Sequence, residues 1–428
     1  MTKASLLFLG GWLLATNPAV AAQKEDALLE LLVRKGTITR AEADAVRSEH
    51  DKQIADQVAL YDKTKVAPWI KSFQWTGDLR LRHESYFWDE NQADRHLERF
   101  RLRLGARLAF ADDKTIVALR LATGALDNPS GHDQTFNDTF AKKPILIDQA
   151  YVRYQATDWL TLWGGKMPIP FSLVRVDSPV IWDDDITPEG LAEQVRWPVT
   201  KRTTLFATAA QMPVKELSAS VSDPWLFGEQ VGVETKLTDA VSLKVAGHFF
   251  HTVHVENATR TDSQMRGNTI VTVISSGKTN VYFAADYAVL GLAGELSWTL
   301  PGPLLKSISL HGEFDENVAT YYGNDDTTGW LVGFRLNDAK KKGDWEFAYA
   351  YKHLEADTFW DAISDSNWGT GGTDRAGHSV AFTYNLQDWW QARVRAFLTR
   401  KLSDRPADNK GVFPEDLVRL QLETNWKF

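Results

Sequence analysis

Eleven arginines in this chain stand at alternate positions of otherwise apolar runs. In "RFRLRLGARLAF", Arg99, Arg101, Arg103 and Arg107 alternate with Phe100, Leu102, Leu104, Ala106 and Leu108. In "WWQARVRAFL", Arg393 and Arg395 oppose Trp390, Ala392 and Val394, and Arg80, Arg82, Arg120, Arg153 and Arg419 sit in similar runs. A guanidinium stays charged at any working pH, so a row of them concentrates anions, or the negative ends of zwitterions, beside it. The plainer reading is a wet surface whose arginines are paired with carboxylates. A second cluster has the opposite sign. Trp182 is followed by Asp183, Asp184 and Asp185, with Glu189 close behind. Facing the arginines across a narrow passage, these acids would set a transverse field. The alternatives are an exposed acidic loop or a site for a hard cation. Other chemistry finds little support. His251 and His254 bring no further ligands, so they read as surface histidines and no metal or cofactor is expected. Ser366 and His378 belong to no motif that organises a nucleophile. "WGTGGTDRAG" follows no strand-to-helix pattern, so it reads as a flexible outer loop and not a phosphate cradle.

The elements that carry the arginines are strands, because the period is two. Asp-bearing turns join consecutive runs at "FADDKT" (110–115), "QATDWL" (155–160), "KLTDAV" (236–241) and "NLQDWW" (385–390). Between them lie long polar connections at roughly 126–144, 168–191, 251–285, 355–376 and 400–416. Connections that alternate short and long mark a bacterial outer-membrane barrel, and a soluble sandwich gives no reason for them. Counting hairpins predicts an all-β transmembrane antiparallel barrel of about sixteen strands over residues 73–428, with strands of ~10 residues. An arginine on the lipid face near the midplane costs about 2–4 kcal/mol, so all eleven are expected to face the lumen. The chain ends "QLETNWKF". Leu420, Leu422, Thr424, Trp426 and Phe428 form its lipid-facing set, and Glu423 and Lys427 belong to the watery one.

Composition agrees. There are 17 Trp, 11 Tyr and 21 Phe in a chain of 428 residues, more aromatic surface than a soluble core needs and suited to interfacial girdles. There is no cysteine, and the net charge of −8 without a basic block gives nucleic acid no footing. Residues 1–22 read as a secretory signal peptide: Lys3, a short apolar run, then "AVAA". Residues 23–72 read as a periplasmic helical, coiled-coil-like segment and linker. Gly36 stops a first helix; a capping box of Thr39 and Glu42 opens a second, which runs to about Tyr61.

The stretches "TGDLRLRHE", "RFRLRLGARLAF", "KKPILIDQAYVRYQATDWLTLWGGKMPIPF" and "IWDDDITPEGLA" resemble the bacterial "putative porin" family, related in outline to phosphate-selective porins. The "LLELLVRKGTITRAEAD" opening is similar too. Pro168-Ile169-Pro170-Phe171 stands where the family often has Asn-Pro-Phe after "GGKM". The resemblance implies an outer-membrane channel for passive diffusion of small hydrophilic solutes or ions. The expected partners are outer-membrane lipid and lipopolysaccharide, a homotrimer of this chain, and the barrel-assembly machinery, which would read Trp426 and Phe428. Anion preference is expected to be weak. The competing functions are an envelope-tethering barrel with little transport, or an outer-membrane barrel enzyme.

Overall fold

A bilayer offers no partner to a bare N–H or C=O, so every spanning strand needs a neighbour on both edges. The structure, a computed structural model, meets this demand with a closed ring. It describes residues 29, 31–49, 52, 67 and 69–428, apart from 89–92, 173–177, 219–221, 258–266, 276, 285, 320–325 and 404–415. The strands are β1 (Ile70–Trp88), β2 (Arg95–Phe110), β3 (Thr115–Thr123), β4 (Gln134–Thr135), β5 (Ile145–Gln155), β6 (Leu160–Lys166), β7 (Glu189–Pro198), β8 (Thr203–Pro213), β9 (Trp225–Lys236), β10 (Val241–Val253), β11 (Ile270–Ser275), β12 (Lys278–Phe283), β13 (Ala288–Thr299), β14 (Ser307–Asn317), β15 (Thr328–Leu336), β16 (Trp345–Leu354), β17 (Arg375–Gln387), β18 (Trp390–Lys401) and β19 (Asp416–Lys427). Sixteen of these form the barrel. The other three lie in loops: β4 is a short strand laid on β2, and β11 with β12 makes a separate hairpin. All barrel pairings are antiparallel. The ring closes where β1 pairs with β19 from Asp78↔Lys427 to Trp88↔Leu417, its other edge being held by β2.

The side-chain alternation follows the expected parity. Along β19, Leu417, Arg419, Gln421, Glu423 and Asn425 are buried, while Val418 and Leu422 are exposed to the surroundings. Aromatics mark both rims of the outer face. At the short-turn end Trp159 meets Trp197 at 6.0 Å and Trp390 stacks on Trp426 at 6.1 Å. At the long-loop end Trp225 stacks on Phe227, and Trp330 packs on Tyr351 at 5.3 Å. His251 belongs to this upper rim, stacked between Phe227 and Phe249. This arrangement is that of interfacial girdles on a lipid-facing band.

Two expectations change. The strand read from 192 begins at Glu189, so Glu189 is a wall residue, exposed and paired to Lys166 at 3.0 Å, outside the acidic loop. Residues 355–374, including "WGTGG", do not form an exposed outer loop. They fold into the lumen, where Asp357, Phe359, Trp360, Ile363 and Trp368 are all buried. Apolar side chains in the loop explain the inward turn, since each loses water-exposed surface worth about 1.5–3 kcal/mol when fully buried.

The N-terminal unit is helical at 31–34 and 40–49 in its described part. Gly36 adopts φ 70° just past the first helix, and the capping box is present: Glu42 N donates to Thr39 Oγ1 at 3.3 Å, while Thr39 N donates to Glu42 Oε2 at 2.7 Å. The expected run of the second helix to Tyr61 and the signal peptide at 1–22 lie outside the described residues.

Candidate functional site: an arginine wall and two infolded loops

The loop between β6 and β7 (167–188) leaves the wall at a pair of glycines. Gly165 (φ 113°) and Gly190 (φ 143°) face each other across β6 and β7, in a backbone conformation that side-chain-bearing residues rarely adopt. A Cβ on either would strike neighbouring backbone. The strand ends can therefore bend, and the loop crosses the lumen. On the far side, Lys352 Nζ on β16 donates to Ser178 Oγ at 2.6 Å and Pro179 O at 3.1 Å, and Val180 N donates to Glu313 Oε2 on β14 at 3.0 Å. Five residues on, Asp185 reaches the arginines of β2, 3.6 Å from Arg101 and 3.7 Å from Arg103. The loop of 355–374 backs it. Asp183 N donates to Ile363 O, and Ser366 N donates to Asp183 Oδ2 at 2.7 Å. Trp182, Phe171 and Phe250 pack edge to face or tilted within 6 Å, and Phe359 joins Phe250 at 6.1 Å, giving the two loops one apolar core.

The opposite wall carries the arginines, and most of them are tied to a carboxylate or amide. Arg101 and Arg103 both bond Asp78, at 2.8 Å and 2.7 Å. Arg80 and Arg82 share Asp133, each at 2.7 Å. Arg82 and Arg395 share Glu423, each at 2.7 Å, and Arg120 pairs with Asp148. Arg99 bonds Glu84 at 2.8 Å from one side and Arg419 bonds it from the other, so the network crosses the β1–β19 seam. Arg153 stands apart, bonded to Gln155 at 2.9 Å and lying over the Trp163 ring. Arg107 is exposed near the short-turn end. Arg393 lines the lumen beside Arg395.

Several of the partners were missed in the sequence analysis. His132, from the loop after β3, bridges Asp148 at 2.9 Å and Asp185 at 3.0 Å. Burial disfavours its charge, but the bonds to Asp148 and Asp185 outweigh that and raise its pKa to about 9. The imidazolium therefore persists through neutral pH. Asp185 is buried too, yet His132 first and then Arg101 hold its carboxyl well below the usual range. Asp183 goes the other way: burial, with Asp365 and Asp185 alongside, pushes it well above that range. Two aspartates of one loop, two positions apart, are thus shifted in opposite directions by their surroundings. Asp365, Asn367 and the whole infolded 355–374 segment also escaped sequence reasoning.

Between the wall and the loop tips lies a cavity of ≈ 570 Å³ at the short-turn end of the lumen. Arg80, Arg101, Arg103 and Arg395 border one side, and Asp184, Asp185 and Asp365 the other. A second cavity of ≈ 410 Å³ lies toward the long loops, lined by Trp182, Ile186, Phe283 and Trp360.

A closed sixteen-strand antiparallel barrel, girdled outside, charged inside and narrowed by infolded loops, defines a porin-type outer-membrane barrel. The chain belongs to the family described as Putative porin, which it matches over residues 89–286 and 305–422, well over half of its length. It is an outer-membrane porin. Among curated proteins none matches it. Among solved structures, OprB of Pseudomonas putida is 14% identical with a TM-score of 0.53, over 84% of this chain and 94% of that one. The trimer form of OmpT from Vibrio cholerae is 12% identical with a TM-score of 0.47, over 83% and 99% of the two chains. A Rh. blastica porin mutant is 10% identical with a TM-score of 0.42, over 83% and 100%.

Proposed function

We propose that solutes cross this porin by passive diffusion between the arginine wall and the acidic tips of the two infolded loops, with a weak preference for anions. The observation that carries this reading is the ≈ 570 Å³ cavity bordered by the wall arginines, with Asp78 and Glu423 among them, and by the loop carboxylates Asp183, Asp184, Asp185 and Asp365. Wall arginines outnumber the wall's own carboxylates, and a narrow low-dielectric passage focuses their field. The acids of the loop tips oppose that field without cancelling it, because burial and its acidic neighbours favour the neutral form of Asp183. Small hydrophilic anions, and zwitterions aligned across the passage, are the solutes that fit this chemistry. The test is the zero-current potential in a dilute salt gradient. Arg101→Ala with Arg103→Ala should move selectivity towards cations, and Asp184→Asn with Asp185→Asn towards anions. If neither pair moves it, the two clusters do not border the ion path. At ~1 M salt, where the Debye length is ~3 Å, the wild-type preference should largely vanish.

The same reading includes export by a leader cleaved near residue 22, contact with lipopolysaccharide, recognition of Trp426 and Phe428 during barrel assembly, and transport without catalysis. It also includes a homotrimer, which the mass of the detergent-solubilised particle tests: a monomeric mass would remove that part.

A further inference from the structure

Across the lumen from the arginines, three ionisable side chains meet behind the loop of 167–188, and the transport path uses none of them. They are His248 on β10 and Glu313 and Asp315 on β14. One ligand atom from each lies within 4.8 Å of the others. All three are at least nine-tenths buried, and Asp315 is completely so.

The backbone is built to let them meet. His248 and Asp315 sit on either side of β13 in one row, His248↔Gly291↔Asp315. A Cβ on Gly291, between them, would collide with both Asp315 Oδ1 and His248 Nε2. The glycine opens a space over the middle strand, and the two groups close it at 2.6 Å. Glu313 enters the same space from two residues along β14, with its Oε2 fixed by Val180 N at 3.0 Å. Asp315 Oδ2 is buried and has no hydrogen-bond partner among the described residues. A carboxylate oxygen removed from water without a donor is costly, so the site is chemically incomplete as it stands.

We infer that His248, Glu313 and Asp315 form a binding site for one divalent transition-metal ion of the Zn²⁺ type. An imidazole, a borderline ligand, beside two carboxylates suits Zn²⁺ better than Ca²⁺ or Mg²⁺, which prefer all-oxygen shells. Two carboxylates balance the ion's charge with the imidazole neutral. Three protein ligands leave a fourth tetrahedral position for a water. Ligand atoms around tetrahedral zinc sit about 3.4 Å apart, since Zn–N and Zn–O bonds run about 2.0–2.2 Å. Reaching that geometry needs only a small opening of the His248–Asp315 pair and a small closure of Glu313. The ion would tie β10 to β14 across β13. Through Glu313 and Val180 it would also stiffen the base of the loop that crosses the lumen. The competing occupant is a proton shared by His248 and Asp315.

The full-length protein, purified in detergent, is dialysed against excess Zn²⁺ and then against metal-free buffer, and bound zinc is measured by elemental analysis. About one zinc per chain is expected in the wild type, and less than about a tenth of that in His248→Gln with Glu313→Gln. Gly291→Val, which fills the space without removing a ligand, should lose zinc equally. Wild-type protein loaded with Co²⁺ provides a check that needs no variant: visible bands of a tetrahedral Co²⁺ centre should form, and excess Zn²⁺ should erase them. Wild-type zinc no higher than in the variants, zinc retained in the double variant, or no such Co²⁺ bands would each overturn the site and leave the proton as its occupant.

Discussion

Excising residues 358–372 should raise single-channel conductance several-fold. The excision is geometrically mild, because Thr373 Oγ1 donates to Ala356 O at 2.7 Å and the ends of the segment already meet. A two-residue glycine turn can close the gap. What leaves the lumen is considerable: Phe359, Trp360, Ile363 and Trp368 from the apolar plug, and Asp365 and Asn367 from the border of the inner cavity. The loop of 167–188 also loses its backing at Ile363 and Ser366. Its tip would then be held mainly by His132 and the arginines. The barrel should survive, since its strands keep every pairing and the excised residues belong to no strand. Planar-bilayer recordings of wild type and variant decide the matter. An unchanged conductance would show that this segment does not narrow the path.

The second large effect concerns stability. Replacing Glu84 by alanine should cost about 3–5 kcal/mol, the usual penalty for stripping one partner from a buried ion pair. Glu84 is fully buried at the β1–β19 seam, where it accepts from Arg99 at 2.8 Å, from Gln421 at 2.6 Å and from Arg419. Its loss strands Arg419, a buried cation whose remaining acceptors are Ser366 O and Gly369 O. Glu84→Gln keeps an acceptor oxygen and should cost less. Arg202→Ala provides the contrast, because the Arg202–Asp239 pair is solvent-exposed and its removal should be nearly silent. Urea unfolding in detergent micelles measures all three. A Glu84→Ala midpoint equal to wild type would mean that the seam does not depend on this network.

The barrel was legible in the sequence because its cause is local. Period two is visible within a window of twenty residues and set the parity of Arg419 against Leu422, and the alternation of short Asp-bearing turns with long connections along the chain set the strand number. The infolding of 355–374 was not legible. Gly369, Gly371 and Gly372 read as a loose exterior loop, and the counter-signal lay in Phe359, Trp360, Ile363 and Trp368, apolar residues too numerous for an exposed connection. Pairing partners were hidden for a different reason. Asp133 meets Arg80 and Arg82, and Asp185 meets His132, only because strand register and loop closure bring distant segments together. The His248, Glu313 and Asp315 cluster is of the same kind. Its one sequence-level trace is a glycine at an inward position of β13, which acquires meaning once the register is known.

If solutes pass between the arginine wall and the loop tips, a bulky group fixed at that border must stop the current. The chain has no cysteine, so a single Asp184→Cys variant carries one unique thiol on the border of that passage. Its single-channel current is recorded before and after reaction with a bulky maleimide, beside a Leu422→Cys control on the exposed outer face. The maleimide should abolish most of the current in the Asp184→Cys variant and none of it in the Leu422→Cys control. Full current through fully modified Asp184→Cys channels would contradict that path.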